Sequence, residues 1–168
     1  MSPNEWQECF LLHQRSYGDT SIIAEIFTRQ SGKMSVIARG AKKPKSKFFG
    51  YLVPFSKLQI TYSGRSELKT LTNIDRDVSL IDNNLSKKSY SLLYINELMI
   101  KLLPKDAANE DLFNLYSNFI EAATKEVDMN FLLRSFELDL LDMLGYGINF
   151  QTDIDAHEPI DASLDYIF

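Results

Sequence analysis

The chain has 168 residues, of which 45% are hydrophobic, so it can build a packed core and is not a disordered tail. No run approaches the roughly 18 apolar residues that cross a membrane, and the first residues lack the basic and apolar pattern of a signal peptide. We therefore expect a cytoplasmic protein with no membrane partner. Cys9 is the only cysteine and there are 2 histidines, so neither a disulfide nor a Cys/His zinc site is expected.

Charge is distributed unevenly along the chain. The net charge is -5, but residues 1–76 contain 12 Lys and Arg against 6 Asp and Glu, whereas residues 77–168 contain 6 against 17. The first part therefore carries +6 and the second -11. We expect the basic part to face phosphates, and the acidic part to face solvent or a protein partner.

The first part alternates apolar and polar side chains with turn signals at short intervals, which is typical of β-strands. Strands are predicted at residues 6–17, 21–28, 33–39, 57–62 and 67–75, the last two forming a hairpin. Five strands indicate a small barrel such as the OB-fold, whose exposed face and loops bind oligonucleotides. The strand count alone does not separate the OB-fold from an SH3-like barrel.

In the second part the apolar period changes to about 3.6 residues. Helices are predicted at residues 86–103, along a stripe from Leu112 to Ala123, and along another from Leu132 to Leu144. The predicted fold class is mixed, β then α, with two domains. Residues 1–78 would form a five-stranded OB-fold barrel that binds nucleic acid, and residues 79–168 an all-helical domain.

The strongest local feature is a segment called the basic loop below, residues 39–51, which combines cations with aromatic side chains. Cations that neutralise phosphates release counterions, and aromatic rings stack on unpaired bases, so this segment is predicted to bind single-stranded nucleic acid. The predicted phosphate contacts are Arg39, Lys42, Lys43, Lys45 and Lys47, and the predicted stacking residues are Phe48, Phe49 and Tyr51. The alternative is a solvated loop whose aromatic residues begin the next strand and cover the barrel.

Further cations lie in or near the strands, where an OB-fold presents its binding groove. Those predicted to bind DNA are Arg15, Arg65 at a hairpin tip, and Lys69 on the following strand. Others in this region are Arg29, Lys33 and Lys57. A surface charge without a ligand is the alternative for each. Trp6 opens the first strand, where a core position is favoured over base stacking.

No catalytic residue is predicted. By alternation His13 shares a strand face with Cys9, but the two lie too far apart for a nucleophile and its base, so both are predicted to be structural. Residues Asp153 to Glu158 resemble a hard-cation cluster but lack the glycine and distal glutamate of a calcium loop, so an acidic linker is favoured. No phosphate loop, GxGxxG or GxSxG motif is present, and no enzyme activity, cofactor or metal is expected.

Two other functions are consistent with these features. A protein-interaction adapter would grip a peptide with the barrel and capture its acidic tail with the basic loop. A short acidic peptide would give a shallow salt dependence, whereas a phosphate chain gives a steep one. A hydrolase or nuclease that uses Asp153 to Glu158 would require turnover that depends on a divalent metal, and none is expected.

Several stretches follow one another in a characteristic order. They are residues 12–21 (LHQRSYGDTS), Phe27-Thr28 with Ser31-Gly32-Lys33, residues 36–41 (VIARGA), Pro54-Phe55, residues 64–71 (GRSELKTL), residues 93–98 (LYINEL), and Phe136-Glu137 followed by residues 144–147 (LGYG). Together they make the chain similar to the bacterial RecO family of recombination mediators. The resemblance implies an N-terminal OB-fold, a helical domain after it, and a nucleoid-associated role in RecF-type DNA repair.

The resemblance also implies partners. Such proteins bind single- and double-stranded DNA, anneal complementary strands, contact the C-terminal tail of single-strand-binding protein, and work with RecR to load RecA. Residues 39–47 and 64–69 fall where the family is expected to touch DNA. Some members carry a cysteine zinc site in the later domain, but this chain has no cysteine there, so no metal is implied. Members usually continue for several tens of residues beyond the point that corresponds to Phe168, so the last helices of the helical domain are expected to be missing. That domain is also the one in which the pocket for the tail of single-strand-binding protein is expected.

Overall fold

The computed structural model describes residues 5–76, 88–147 and 159–160. Its elements in chain order are β1 (Gln7–Tyr17), β2 (Ser21–Thr28), β3 (Gly32–Ala38), β4 (Lys57–Ser63), β5 (Leu68–Arg76), α1 (Ser89–Leu102), α2 (Glu110–Thr124) and α3 (Met129–Met143). Each predicted strand agrees with an observed one to within one residue at either end, and the three predicted helices are also present. The predicted domain boundary at residue 78 and the first 2 residues of the predicted helix at 86–103 lie outside the described residues.

The strands close into a barrel in the order β1-β2-β3-β5-β4, because β4 pairs back to β1. β3 and β5 run parallel, and the other neighbouring pairs are antiparallel. This arrangement confirms the predicted OB-fold followed by helices and settles the choice that the strand count left open. The barrel interior is filled by alternate strand residues such as Cys9, Leu11, Ala24, Ile26, Met34, Val36, Leu58, Ile60 and Leu71.

A β-bulge interrupts the alternation of β1. The register with β2 shifts between Leu11 and His13, with Leu12 as the extra residue. Cys9 and Leu11 are fully buried, whereas His13 is exposed. The expectation that Cys9 and His13 share a face is therefore wrong, because the bulge turns the rest of the strand over. Burial raises the pKa of the Cys9 thiol, which keeps it protonated.

The helices pack on the barrel through an aromatic cluster. Phe10 of β1 and Phe27 of β2 face away from the barrel interior and contact Phe113 and Tyr116 of α2. The ring centroids of these four pairs lie 5.0, 5.4, 5.6 and 6.5 Å apart, within the range of favourable aromatic contacts. The barrel and the helices therefore share one hydrophobic core in addition to the interior of the barrel.

Two polar contacts fix α1 against the barrel. The buried Asn96 donates from Nδ2 to the Leu12 carbonyl at 2.8 Å and accepts from the Tyr116 hydroxyl. Lys33 of β3 is only 7% exposed, and its Nζ donates to the Ile100 carbonyl in the last turn of α1. Burial lowers the pKa of Lys33. Lys33 therefore holds a helix end and is not available to a ligand.

Candidate nucleic-acid interface

The basic loop is folded against the barrel as a series of tight turns. Main-chain hydrogen bonds of 2.9–3.1 Å join residues three apart from Gly40 to Phe49. The Lys42 amide donates to the Thr20 carbonyl at 2.9 Å, which ties the loop to the turn between β1 and β2. The cations of the loop therefore extend from a backbone that is already ordered.

The cations of the basic loop are open to solvent. Arg39, Lys43, Lys45 and Lys47 are exposed, and Lys42 is half-buried. Among the described residues their side chains contact only uncharged groups. Lys42 Nζ lies 3.4 Å from the Gly18 carbonyl, and Lys47 Nζ lies 3.0 Å from Asn73 Oδ1 and 5.4 Å from the centre of the Phe48 ring. None of the ion pairs between described residues includes them. A cation without a carboxylate partner keeps its full charge for a phosphate.

Arg29 and Lys57, by contrast, are held in a network between the barrel and α2. Arg29 Nε lies 2.8 Å from Glu8 Oε2, its Nη1 lies 3.0 Å from Glu110 Oε1, and its guanidinium lies 4.5 Å from the centre of the Phe113 ring. Lys57 Nζ lies 2.9 Å from Glu8 Oε1. Burial alone would raise the pKa of Glu8, but hydrogen bonds and charge from Lys57 and Arg29 outweigh it and lower the pKa. These two cations hold the fold together.

Arg15 lies on the outer face of the barrel at the end that carries the basic loop. It pairs with Ile23, whose chain neighbour Ala24 points into the barrel, so alternation places Ile23 and Arg15 outside. Tyr17 is two residues further along the same strand and lies on the same face. Its side chain is 52% exposed. Tyr17 is not among the residues predicted above, although the alternation that turns Arg15 outward does the same for Tyr17.

Arg65 and Lys69 form a second group on the β4–β5 hairpin. Lys69 pairs with Val36 near the middle of β3, whereas the basic loop follows the end of that strand. Arg65 is exposed at the hairpin tip, and the neighbouring Glu67 forms an ion pair with Lys105, which follows α1. Arg15 and the loop cations therefore lie at the same end of the barrel, whereas Arg65 lies on the side of the connection between α1 and α2.

The aromatic residues of the basic loop separate into two kinds. Phe48 is 7% exposed and packs in the barrel core, which favours the alternative that it covers the barrel. Phe49 is 53% and Tyr51 37% exposed, so both present ring surface to solvent. Stacking by Phe49 and Tyr51 stays a prediction. The expectation of a core position for Trp6 is wrong: it is 48% exposed, because it precedes Gln7, the first residue of β1 that pairs with β4.

An apolar groove of about 250 Å³ lies between α1 and α3. It is lined by Tyr94, Leu98, Leu102, Glu137, Leu140 and Leu141. The Tyr94 hydroxyl donates to Glu137 Oε1 at 2.7 Å, and this hydrogen bond raises the pKa of Tyr94. A groove of this kind accepts an apolar side chain beside a small polar rim.

Within the described residues, no three Cys, His, Asp or Glu side chains gather closely enough to hold a metal ion. Residues 153–158, considered above for a hard cation, lie outside the described residues. No helix in the described ranges is both long and apolar enough to span a membrane.

Comparison with protein families gives two adjoining matches. Residues 1–76 match the family described as "Recombination protein O N terminal", and residues 86–168 match the one described as "Recombination protein O C terminal". The first match ends with β5 and the second begins just before α1. The sequence division therefore coincides with the change from strands to helices.

Curated relatives extend over nearly the whole chain. Proteins named "DNA repair protein RecO" from Haemophilus influenzae (strain 86-028NP) and Hamiltonella defensa are 36% and 38% identical over 164 residues, which is 97% of this chain and 69% and 70% of theirs. The protein of the same name from Salmonella dublin is 40% identical over 162 residues, 96% of this chain and 66% of its own length. Because both family matches and these relatives agree with the barrel-and-helix fold, the chain belongs to the RecO family of DNA repair proteins.

Proposed function

We propose that this chain is a recombination mediator that binds single-stranded DNA through the basic loop and the adjoining outer face of β1. The observation that carries the proposal is that some cations of the barrel are bound to partners within the fold, whereas others have no carboxylate partner in the described part of the chain. Arg29, Lys33 and Lys57 are engaged in the fold. The five cations of the basic loop and Arg15 lie at one end of the barrel without a carboxylate partner among the described residues.

The mechanism needs no covalent chemistry. Two DNA strands repel each other through their phosphates, and a basic surface that neutralises one strand lowers the barrier to annealing with the other. Exposed rings such as Phe49 and Tyr51 would hold unpaired bases. Double-stranded DNA would use the same cations without the rings, and Arg65 and Lys69 would lengthen the contact. The acidic helical part would keep DNA on the barrel by repulsion.

The protein partners of the family belong to the same proposal. The α1–α3 groove is the candidate site for the tail of single-strand-binding protein, because it is an open apolar groove between two helices of the described residues. Leu102 at its edge is 41% exposed. Replacing Leu102 with glutamate should weaken binding of the tail peptide and leave DNA affinity unchanged. Joint action with RecR in loading RecA completes the proposed role.

A salt titration of binding to a fluorescent single-stranded oligonucleotide tests the proposal. The test variant changes Lys42, Lys43, Lys45 and Lys47 to alanine. The control changes Lys101, Lys105, Lys125 and Arg134 to alanine. The two variants lose the same charge, but each control cation is exposed and already paired with a carboxylate. Net charge is therefore matched, and the variants differ in position.

The expected result is a large loss of affinity for the test variant, with a slope of log affinity against log salt shallower by up to about 3, since each single-strand phosphate contact contributes about 0.7. The control variant should keep the wild-type slope. Equal losses in both variants would show that only overall charge matters, and the proposed site would be wrong. A shallow wild-type slope, with tight binding of an acidic peptide, would favour the adapter.

A further inference from the structure

We infer that Tyr17 is a base-stacking residue of the DNA site and that it makes the site selective for unpaired bases. The inference rests on the proposed function and deepens it, because the cations already described would bind the phosphates of single and double strands alike. Besides the exposed rings of Phe49 and Tyr51 in the basic loop, Tyr17 supplies a contact on β1 itself that depends on an exposed base.

The position of Tyr17 follows from the strand register. Tyr17 pairs with Ser21 at the first position of β2. The β2–β3 register ends with Ile22 opposite Ala38, and the Ser21 hydroxyl accepts a hydrogen bond from the Gly40 amide at 3.3 Å. Arg39, which lies between Ala38 and Gly40, is therefore across β2 from Tyr17. Arg15 lies on the other side, two residues earlier on the same face, at about 6–7 Å along the strand. Tyr17 is therefore flanked by two exposed arginine residues, Arg15 along its own strand and Arg39 across β2.

Tyr17 is exposed at an ordered end of β1. The turn after Tyr17 is tied to the basic loop by the Lys42 amide, which donates to Thr20, and Lys42 Nζ lies 3.4 Å from the Gly18 carbonyl. Tyr17 is 52% exposed. A side chain of this kind on an ordered strand end loses little freedom on binding, since tyrosine has only two side-chain torsions.

The chemistry fits one nucleotide step. A base that stacks on the Tyr17 ring would place its flanking phosphates toward Arg15 on one side and Arg39 on the other. Every base has a π face, so the contact tolerates any sequence. Bases inside a duplex are already stacked on their neighbours, so the duplex cannot make this contact. Tyr17 therefore adds affinity for single strands only.

The experiment compares two variants of Tyr17 with a matched control. Tyr17→Ala removes the ring and Tyr17→Phe keeps it. Tyr90→Ala removes another exposed tyrosine, 89% exposed at the start of α1. The probes are an oligothymidylate, an abasic oligonucleotide of the same length, and a duplex. Binding of each is measured at one salt concentration, and the salt slope is measured for the oligothymidylate.

We expect Tyr17→Ala to weaken oligothymidylate binding about 5- to 150-fold, the equivalent of 1–3 kcal/mol for one stacked base. Its affinity for the abasic strand and the duplex, and its salt slope, should stay at wild-type values. Tyr17→Phe and Tyr90→Ala should bind like the wild type. Equal losses of Tyr17→Ala on base-containing and abasic strands would overturn the inference, as would unchanged oligothymidylate binding.

A fluorescence signal provides a second readout that does not depend on the folding of the alanine variant. Tyr17→Trp, combined with Trp6→Phe, leaves a single tryptophan at position 17. Stacking should quench its emission with oligothymidylate and not with the abasic strand, and the absence of such quenching would count against the inference. If the wild type binds no oligonucleotide, the proposed function fails. If the loop variant loses affinity while every Tyr17 variant keeps it, only the role of Tyr17 is wrong.

Discussion

Replacing Asn96 with leucine tests the polar contact that fixes α1 to the barrel. Asn96 is 2% exposed and links two partners from different parts of the chain. Its Nδ2 donates to the Leu12 carbonyl in the bulge of β1 at 2.8 Å, and its Oδ1 accepts from the Tyr116 hydroxyl of α2. Leucine has a similar volume but neither group. The substitution therefore leaves a carbonyl and a hydroxyl buried without this partner.

The magnitude follows from the two orphaned groups. Each buried polar group that loses its partner costs about 1–3 kcal/mol, so the two together cost about 2–6 kcal/mol. The larger apolar surface of leucine offsets about 1–2 kcal/mol of this. We expect Asn96→Leu to lower the free energy of unfolding by about 1–4 kcal/mol, a large part of the roughly 5–15 kcal/mol that stabilises an ordinary domain. Urea unfolding measures the difference, with an unchanged m-value.

A double-mutant cycle makes the prediction sharper. Tyr116→Phe in the wild type leaves Asn96 Oδ1 without its donor and should cost about 1–3 kcal/mol. In the Asn96→Leu background the same change removes a hydroxyl that is already orphaned, so it should cost almost nothing or stabilise the fold. The two substitutions should therefore be strongly non-additive. Additive effects, or a loss below about 0.5 kcal/mol for Asn96→Leu, would refute the assigned role of this contact.

Three further predictions concern packing, pH and the thiol. Gly32 has a φ of 74°, and an added Cβ would lie 2.0 Å from the Ala107 carbonyl oxygen, so Gly32→Ala should destabilise the fold by more than the roughly 1–2 kcal/mol of left-handed strain. Gly18→Ala, at φ 56° with no atom within 4 Å of the added Cβ, should show that strain alone in the same urea assay. Glu8 has a pKa below its ordinary value of 4.5, so its ion pairs should stabilise the fold above that pH and lose their effect as pH falls through the lowered value. Unfolding free energies of the wild type and Glu8→Gln should therefore converge in acid and diverge toward neutral pH, and parallel curves would be inconsistent with the network. Cys9 is fully buried, so a thiol reagent should label it at the rate of unfolding, and rapid labelling of the native protein would contradict the closed barrel.

The strands and helices were predictable because their patterns are local. The barrel strands show alternation that is visible within single segments, and the turns between them contain glycine or small polar residues. The bulge at Leu12 was not predictable from alternation, because one extra residue changes the face of everything that follows. The sequence does indicate that this part of β1 is covered on both sides, because the run Cys9-Phe10-Leu11-Leu12 is apolar on both faces of the strand.

The candidate site was predictable only in part. The excess of cations at residues 39–47 is visible in the sequence, whereas the engagement of Arg29 depends on Glu110, which lies 81 residues away. Phe48 and Phe49 are neighbours with the same composition around them, yet one is in the core and the other is exposed. That difference arises because the turns of the basic loop direct Phe48 into the barrel core and Phe49 toward solvent. Pairing and burial therefore had to come from the structure.

The shared core determines how DNA binding can be studied. Phe10 and Phe27 lie under α2, so a fragment without the helices would expose both rings together with Leu12. Loss of binding by such a fragment would not locate the DNA site, because the barrel itself would be altered. The contact between barrel and helices is mainly apolar, and apolar contacts are not weakened by salt at the concentrations that displace phosphates. Salt titration of the whole chain therefore tests the phosphate contacts proposed at the basic loop while the barrel and helices stay together.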